Sequence, residues 1–370
     1  MPRARDLGIS VGSLPPGELN AITDVPGVRV GHTTLIMGEG PRLVGQGPVR
    51  TGVTVVLPHE GEAWAEPVFA GAHRLNGNGE LTGLEWLRES GMLHSPVAIT
   101  NTHSVGLVRD ALVAAEGARR GESEFWSLPV VGETWDGVLN DVNGRHVREE
   151  HVLAALEGAA AGPVAEGNVG GGTGMICHGF KGGVGTASRV VTEAGGHTVG
   201  VLVQANQGSR EQLRVDGAPV GQAIPVTDVP SPGAFDSQAA GSIIVIVATD
   251  APLLPGQCAR LAQRAGLGVA RTGGLGENFS GDLFLCFATG NRGLPPNAFA
   301  KDTPISFPVR MLSNGWITPL FQCVVEATEE AILNALLAAE TMSGCDGTTA
   351  QALEPERLLA ALEGVGRMRR

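Results

Sequence analysis

The stretch GSIIVIVATDAPLLPGQ, residues 241–257, decides the fold. Ser242–Ala248 is a continuous apolar, largely β-branched run, the pattern of a strand buried on both faces. The segment before it, PVTDVPSPGAFDSQAAG (225–241), holds three prolines and has no hydrophobic period, so it reads as an exposed loop ending at Gly241. The segment after it, from Leu254 to about Ala265, has helical spacing. A loop, a fully buried strand and a helix in succession point to a layered α/β domain rather than an all-β sandwich.

Outward from there, Val53–Leu57, Pro96–Thr100, Thr198–Gln204, Asp282–Ala288 and Ile317–Val325 are predicted strands. Predicted helices run from Ser104, a candidate N-cap, to about Arg120, with Val105, Val108 and Leu112 on one face, and over 149–160, 329–340 and 356–363. Residues 167–188, GNVGGGTGMICHGFKGGVGTAS, are dense in glycine. They match neither GxxxxGK[ST] nor GxGxxG, and Lys181 is followed by Gly182 and Gly183, so tight turns or a close main-chain approach to a small ligand are favoured over a phosphate loop.

Composition narrows the function. The 370 residues carry a formal net charge of −12, which disfavours nucleic acid as a partner because phosphate contacts need clustered Lys and Arg. At 42% hydrophobic and 17% charged residues, the chain has a globular balance. The five cysteines, Cys177, Cys258, Cys286, Cys323 and Cys345, form no CxxC pair and read as reduced thiols. There is no secretory h-region and no run of about 18 apolar residues, so a cytoplasmic protein is expected. No histidine spacing of a zinc site occurs, and no metal or organic cofactor is expected. All nine histidines precede Ser242, and no GxSxG elbow marks a serine triad.

Ser242 stands out by position. Cutting the Gly241–Ser242 bond would give it a free α-amine beside its own hydroxyl, and an α-amine titrates near pH 7.7–8.0, close to the pH at which a general base is wanted. Nucleophile and base would then reside on one residue. An ordinary serine at a strand start has the same local pattern.

Longer stretches resolve that ambiguity. AITDVPGVRVGHTTL (21–35), PVAITNTHSVGLVRDAL (96–112), VVGETWDGVLNDVNGRHV (130–147), the glycine-rich 167–188, VLVQANQG (201–208), GSIIVIVATDAPLLPGQ (241–257), NFSGDLFLCFAT (278–289) and ITPLFQCVVEATEEAILNALLAAET (317–341) together resemble the DmpA-type aminopeptidases. That family includes L-aminopeptidase/D-esterase/amidases and β-peptidyl aminopeptidases. The resemblance implies one αββα sandwich over residues 1–370, of the type shared with ornithine acetyltransferases and akin to N-terminal-nucleophile hydrolases. It implies self-cleavage at Gly241–Ser242 into an α chain (1–241) and a β chain (242–370) that stay together, and a homo-oligomer, a tetramer of αβ units.

Carried over residue by residue, the family's nucleophile falls on Ser242, its assisting serine and acid on Ser280 and Asp282, and its oxyanion-binding asparagine on Asn206. Glu133 is placed to hold the free amino group of a short peptide or amino-acid amide. Some relatives have an active-site tyrosine in the ET(Y/W)DG segment; this chain contains no tyrosine and has Trp135 there, whose indole N–H is a donor only. Two alternatives remain at this stage: an acetyltransferase acting like the ornithine enzymes, which use threonine, and a non-catalytic binding module of the same fold.

Overall fold

A computed structural model describes residues 2–193, 195–232, 241–296 and 304–367. The main strands are β1 (Arg29–Met37), β2 (Val49–Leu57), β3 (Val68–Gly77), β4 (Met92–Leu93), β5 (Val97–Asn101) and β6 (Val130–Thr134). A small hairpin of β7 (Ile176–Cys177) and β8 (Phe180–Lys181) precedes β9 (Gly183–Val191), β10 (His197–Asn206), β11 (Ser242–Thr249) and β12 (Gly281–Ala288). The helices are α1 (Leu84–Ser90), α2 (Val105–Arg120), α3 (Glu149–Glu157), α4 (Val220–Ala223), α5 (Pro255–Arg271), α6 (Thr318–Ala338) and α7 (Pro355–Gly364).

These elements form four layers. One sheet has the order β1-β2-β5-β6 and the other β4-β3-β12-β11-β10-β9. Helices α2 and α3 pack on the first sheet, and α5 and α6 on the second. The alternation along β11 shows how the layers are glued. Ile243, Val245 and Val247 pack towards α5 and α6, while Ile244, Ile246 and Ala248 enter the apolar layer between the sheets with Val56, Ile99, Leu202 and Leu285. Successive side chains on a strand point to opposite faces, so a run buried on both faces must be apolar throughout. Fully burying each such side chain stabilises the fold by about 1.5–3 kcal/mol. The αββα expectation is met.

Three local expectations need correction. Ile317–Val325 is not a strand: it opens α6, which runs unbroken to Ala338. The β-branched and aromatic residues there suit a strand, but the helix is buried almost all round, so no polar face marks its period. Its acidic residues are neutralised by distant arginines. Arg189, with no exposed surface, donates to Glu326 and Glu330 at 3.3 and 2.6 Å, and Arg271 reaches Glu329 at 2.7 Å. The second correction concerns 167–188, where turns hold only in part, because Gly183–Val191 is a strand. Gly185 lies on it because α6 comes down onto the main chain there, and a Cβ would overlap the carbonyl oxygen of Ala331. The third is the cap of α2. Ser104 makes no capping bond; the Asn101 side chain instead accepts from the His103 amide in the turn before the helix. Residues 233–240 of the loop before Ser242 lie outside the described residues.

Candidate active site

The central strands meet at Ser242. It opens β11, lies opposite Asn206 at the end of antiparallel β10, and adjoins the start of parallel β12, where Ile243 pairs with Asp282. Its side chain is buried, and its Oγ accepts a hydrogen bond from the Gly281 amide at 3.0 Å. Gly281 is a residue the sequence reading passed over. Its Cα side faces the chain at 78–79, and a Cβ there would come within 2.5 Å of the Asn78 carbonyl oxygen and 2.8 Å of Gly79 Cα. Only glycine lets the strand reach this position and aim its N–H at the serine.

Gly241 is similarly confined. A Cβ on it would overlap the Asn206 carbonyl oxygen and sit 2.8 Å from Gln207 Cα. The peptide bond joining Gly241 to Ser242 is therefore pressed against the end of β10.

Ser280 and Asp282 are together, as expected. The Ser280 hydroxyl donates to Asp282 Oδ1 at 2.6 Å, while Oδ2 is buried and has no hydrogen-bond partner among the described residues. Burial pushes the Asp282 carboxyl up to about 6, against the opposing pull of the Ser280 hydrogen bond. A carboxylate oxygen without a donor beside the strand that Ser242 opens has capacity for one more N–H.

Asn206 is buried and held at both ends of its amide. Its Oδ1 accepts from the Ile176 amide at 2.7 Å, and its Nδ2 donates to the Trp135 carbonyl at 3.1 Å. One Nδ2 hydrogen thus remains for another acceptor. Trp135 contributes through its main chain; its ring packs edge-on to His103 with centroids 5.6 Å apart and is partly exposed.

Glu133, on β6, is also buried. Its Oε1 accepts from the Glu80 amide at 2.9 Å, and its Oε2 accepts a short hydrogen bond from the Thr102 hydroxyl. Burial raises its pKa, with Thr102 and the Glu80 amide pulling the other way. The carboxylate reaches the neighbourhood of the serine across one glycine: a Cβ on Gly79 would stand 2.9 Å from Glu133 Oε1 and 3.2 Å from the Cα of Gly281. A cavity of about 460 Å³, with Gly77, Gly79, Leu81 and Leu283 in its wall, borders this corner. An adjoining aromatic cavity of about 410 Å³ around Trp64, Trp86 and Trp126 shares Gly83, Trp86 and Leu128 with it but none of the residues named for the serine site.

Thr102, Glu80 through its amide, Ile176 and Gly281 were invisible to motif reading because each acts through its backbone or through a hydroxyl common in loops. The glycines of NGNG (76–79) were the available signal for a close approach.

Two sheets between two helix layers, with a serine opening a central strand, define the class: a layered α/β hydrolase of the N-terminal-nucleophile type. The chain belongs to peptidase family S58, whose profile matches residues 20–350, and it is an aminopeptidase of that family. The β-peptidyl aminopeptidase of Sphingosinicella microcystinivorans is 50% identical to it, over 99% of this chain and 93% of the relative. Among solved structures, a β-aminopeptidase from Burkholderia sp. superposes with a TM-score of 0.93 at 55% identity, covering both chains completely. The L-aminopeptidase/D-Ala-esterase/amidase of Ochrobactrum anthropi, described as a prototype serine aminopeptidase and a new variant among the Ntn hydrolase fold, gives a TM-score of 0.90 at 44% identity, again over both whole chains. The resemblance found in the sequence holds, and the acetyltransferase and binding-module alternatives give way to a peptidase.

Proposed function

We propose that the chain cuts itself between Gly241 and Ser242 and then removes N-terminal residues from short peptides or amino-acid amides, with Ser242 as nucleophile. The observation that carries this reading is the convergence at the start of β11: the Ser242 hydroxyl on the Gly281 amide, the Asn206 amide on the neighbouring strand, and the buried Glu133 carboxylate one glycine away.

In the self-cleavage step, the Ser242 hydroxyl attacks the Gly241 carbonyl. The C–N bond breaks as the ester forms, the proton passes from the hydroxyl to the departing nitrogen, and water hydrolyses the ester. The products are residues 1–241 and residues 242–370, which remain one body because β11 pairs with β10 of the first chain and β12 of the second. The new α-amine is the general base for peptide turnover. It takes the Ser242 proton as Oγ attacks the scissile carbonyl and returns it to the leaving amine. Water then releases the acyl group. Ser280 and the unpartnered oxygen of Asp282 orient this amine, and the spare Nδ2 hydrogen of Asn206 receives the oxyanion.

Glu133 binds the substrate ammonium. A carboxylate kept buried at a cost in pKa, with hydrogen bonds but no arginine or lysine paired to it among the described residues, is suited to a cation that arrives with the substrate. β-Amino-terminal peptides are the proposed preferred substrates, since relatives at 50% and 55% identity are named for that activity. Trp135 forms part of the substrate wall. The mature units assemble as a homo-oligomer, a tetramer of αβ units, which would cover exposed apolar residues such as Ile305, Met311 and Trp316. Five buried, unpaired thiols fit a reducing cytoplasm. No helix among the described residues is long and apolar enough to cross a membrane.

The test of substrate class is a panel of p-nitroanilides with α-, β- and D-amino ends. Preferred hydrolysis of the β-aminoacyl compounds is expected; a preference for α-aminoacyl compounds would overturn that assignment.

A further inference from the structure

The sequence holds only two lysines, Lys181 and Lys301, against an abundance of arginine. One of the two, Lys181, has no exposed surface. Among the described residues it has no carboxylate partner. Its ammonium donates instead to three main-chain carbonyls: Gly172 at 3.3 Å, Met175 at 2.9 Å and Gly182 at 2.8 Å. Burying an ammonium without a counter-ion is costly, and burial pushes its pKa down to about 7. A packing role would be met more cheaply by methionine or leucine.

What the three carbonyls belong to explains the expense. The Met175 carbonyl and the Ile176 N–H are the two ends of one planar peptide unit. The carbonyl end is gripped by the Lys181 ammonium and by the Gly182 amide, the latter at 2.8 Å. The N–H end donates to Asn206 Oδ1 at 2.7 Å, and the other end of the Asn206 amide donates to the Trp135 carbonyl. The sequence of contacts therefore runs ammonium, peptide, asparagine amide. Three converging carbonyl acceptors favour the protonated amine against the pull of burial, and while Lys181 holds that proton its charge makes the N–H of the same peptide a stronger donor. A stronger donor on Oδ1 in turn makes the Nδ2 hydrogens stronger donors, because linked hydrogen bonds polarise one another.

We propose that Lys181 is a positioning residue for the reaction: through the Met175–Ile176 peptide it fixes and polarises the Asn206 amide that receives the oxyanion. Lys181 itself touches neither substrate nor Ser242. The proposal rests on the reading of Asn206 given above, and it adds a residue and a route that this reading does not need. It also accounts for lysine rather than arginine, since a compact ammonium with three donors fits three converging carbonyls, whereas a planar guanidinium does not.

The test is a double-mutant cycle with mature enzyme. Lys181→Met should lower kcat about 10-fold and leave KM within about 2-fold, because the interaction it supports strengthens as the oxyanion forms. Lys181→Gln, whose NH2 keeps two donors but no charge, should fall between. In the Asn206→Ala background, Lys181→Met should have no further effect on kcat. If Asn206→Ala alone leaves kcat unchanged, the oxyanion reading fails and takes the inference with it. If Asn206→Ala lowers kcat and Lys181→Met multiplies that loss, the oxyanion reading stands and the Lys181 inference is overturned. Should the Lys181 variants not fold, a protein carrying only Lys301→Arg has one lysine, visible alone after 13C/15N-lysine labelling. An aminoalkyl boronic acid forming a tetrahedral adduct on Ser242 should shift the Lys181 ε-signal, and should not do so with Asn206→Ala. An inhibited enzyme whose lysine signal does not move would refute the coupling.

Discussion

Replacing Glu133 by glutamine separates substrate recognition from folding. The glutamine keeps the shape of the side chain. Its amide oxygen can face the Glu80 N–H, and its NH2 can donate to the Thr102 oxygen once that hydroxyl rotates. The fold should tolerate the change. The wild-type carboxyl has its folded pKa raised, chiefly by burial, so its contribution to stability is present at low pH and is lost as pH rises through the folded value. Once ionised, Glu133 therefore opposes folding, and the variant should melt at the same temperature or higher. Activity should move the other way. A hydrogen bond between charged groups contributes about 1.5–3 kcal/mol, so loss of the charge should lower kcat/KM for free-amine substrates about 10- to 100-fold. The assay compares a β-aminoacyl p-nitroanilide with its N-acetylated form. Wild-type enzyme should strongly prefer the free amine, and Glu133→Gln should largely abolish that preference while leaving the chain cut. If the variant retains the full preference, Glu133 does not hold the ammonium, whatever happens to the overall rate.

Three further outcomes follow from the same geometry. Protonation of the α-amine gives one acid limb, and because burial pushes Asp282 up to about 6 and it must be ionised to accept the α-ammonium, a second proton should steepen the fall of kcat/KM below about pH 6; Asp282→Asn should leave the single-proton limb alone, and an unchanged steep limb in the variant would assign the lower step elsewhere. Gly241→Ala places a methyl group on the Asn206 carbonyl, so the scissile peptide must move out of reach of the Ser242 hydroxyl, and at a cost on the order of 1–3 kcal/mol self-cleavage should slow about 5- to 150-fold; a time course by intact mass reads this, and an unchanged rate would show that the bond is not confined as described. With nucleophile and base both on Ser242, EDTA should leave turnover intact, whereas zinc-reversible inactivation would demand a different mechanism.

Much of the architecture could be read from the chain because its central strand is extreme. Every position of Ser242–Thr249 is buried, so the sequence there tolerates almost nothing polar and the strand announces itself. The same burial concealed α6. Its segment 317–325 is as apolar as a strand, and its acidic residues look solvated until Arg189 and Arg271, far away in sequence, are seen against them. Gly183–Val191 was obscured because Gly185 answers to the helix lying on it and Gly183 to the Gly167 main chain, and neither to a turn. At the site, side chains with distinctive chemistry were found by resemblance, and the structure brings Ser242, Ser280, Asp282, Asn206 and Glu133 to one corner. The supports were not legible, since Gly281, Ile176 and Glu80 act through N–H groups that every residue possesses.

On this mechanism the working enzyme is a cut chain whose second part begins at Ser242. Intact-mass analysis of freshly folded protein, with N-terminal sequencing of the smaller fragment, tests it directly. The wild type should convert from one chain to residues 1–241 and 242–370, which co-purify, and denatured precursor should not convert. Ser242→Ala should remain a single chain without peptidase activity, since the hydroxyl that cuts and the amine it exposes are lost together. An active enzyme that stays uncut, or a fragment that starts at any residue other than Ser242, would contradict the account.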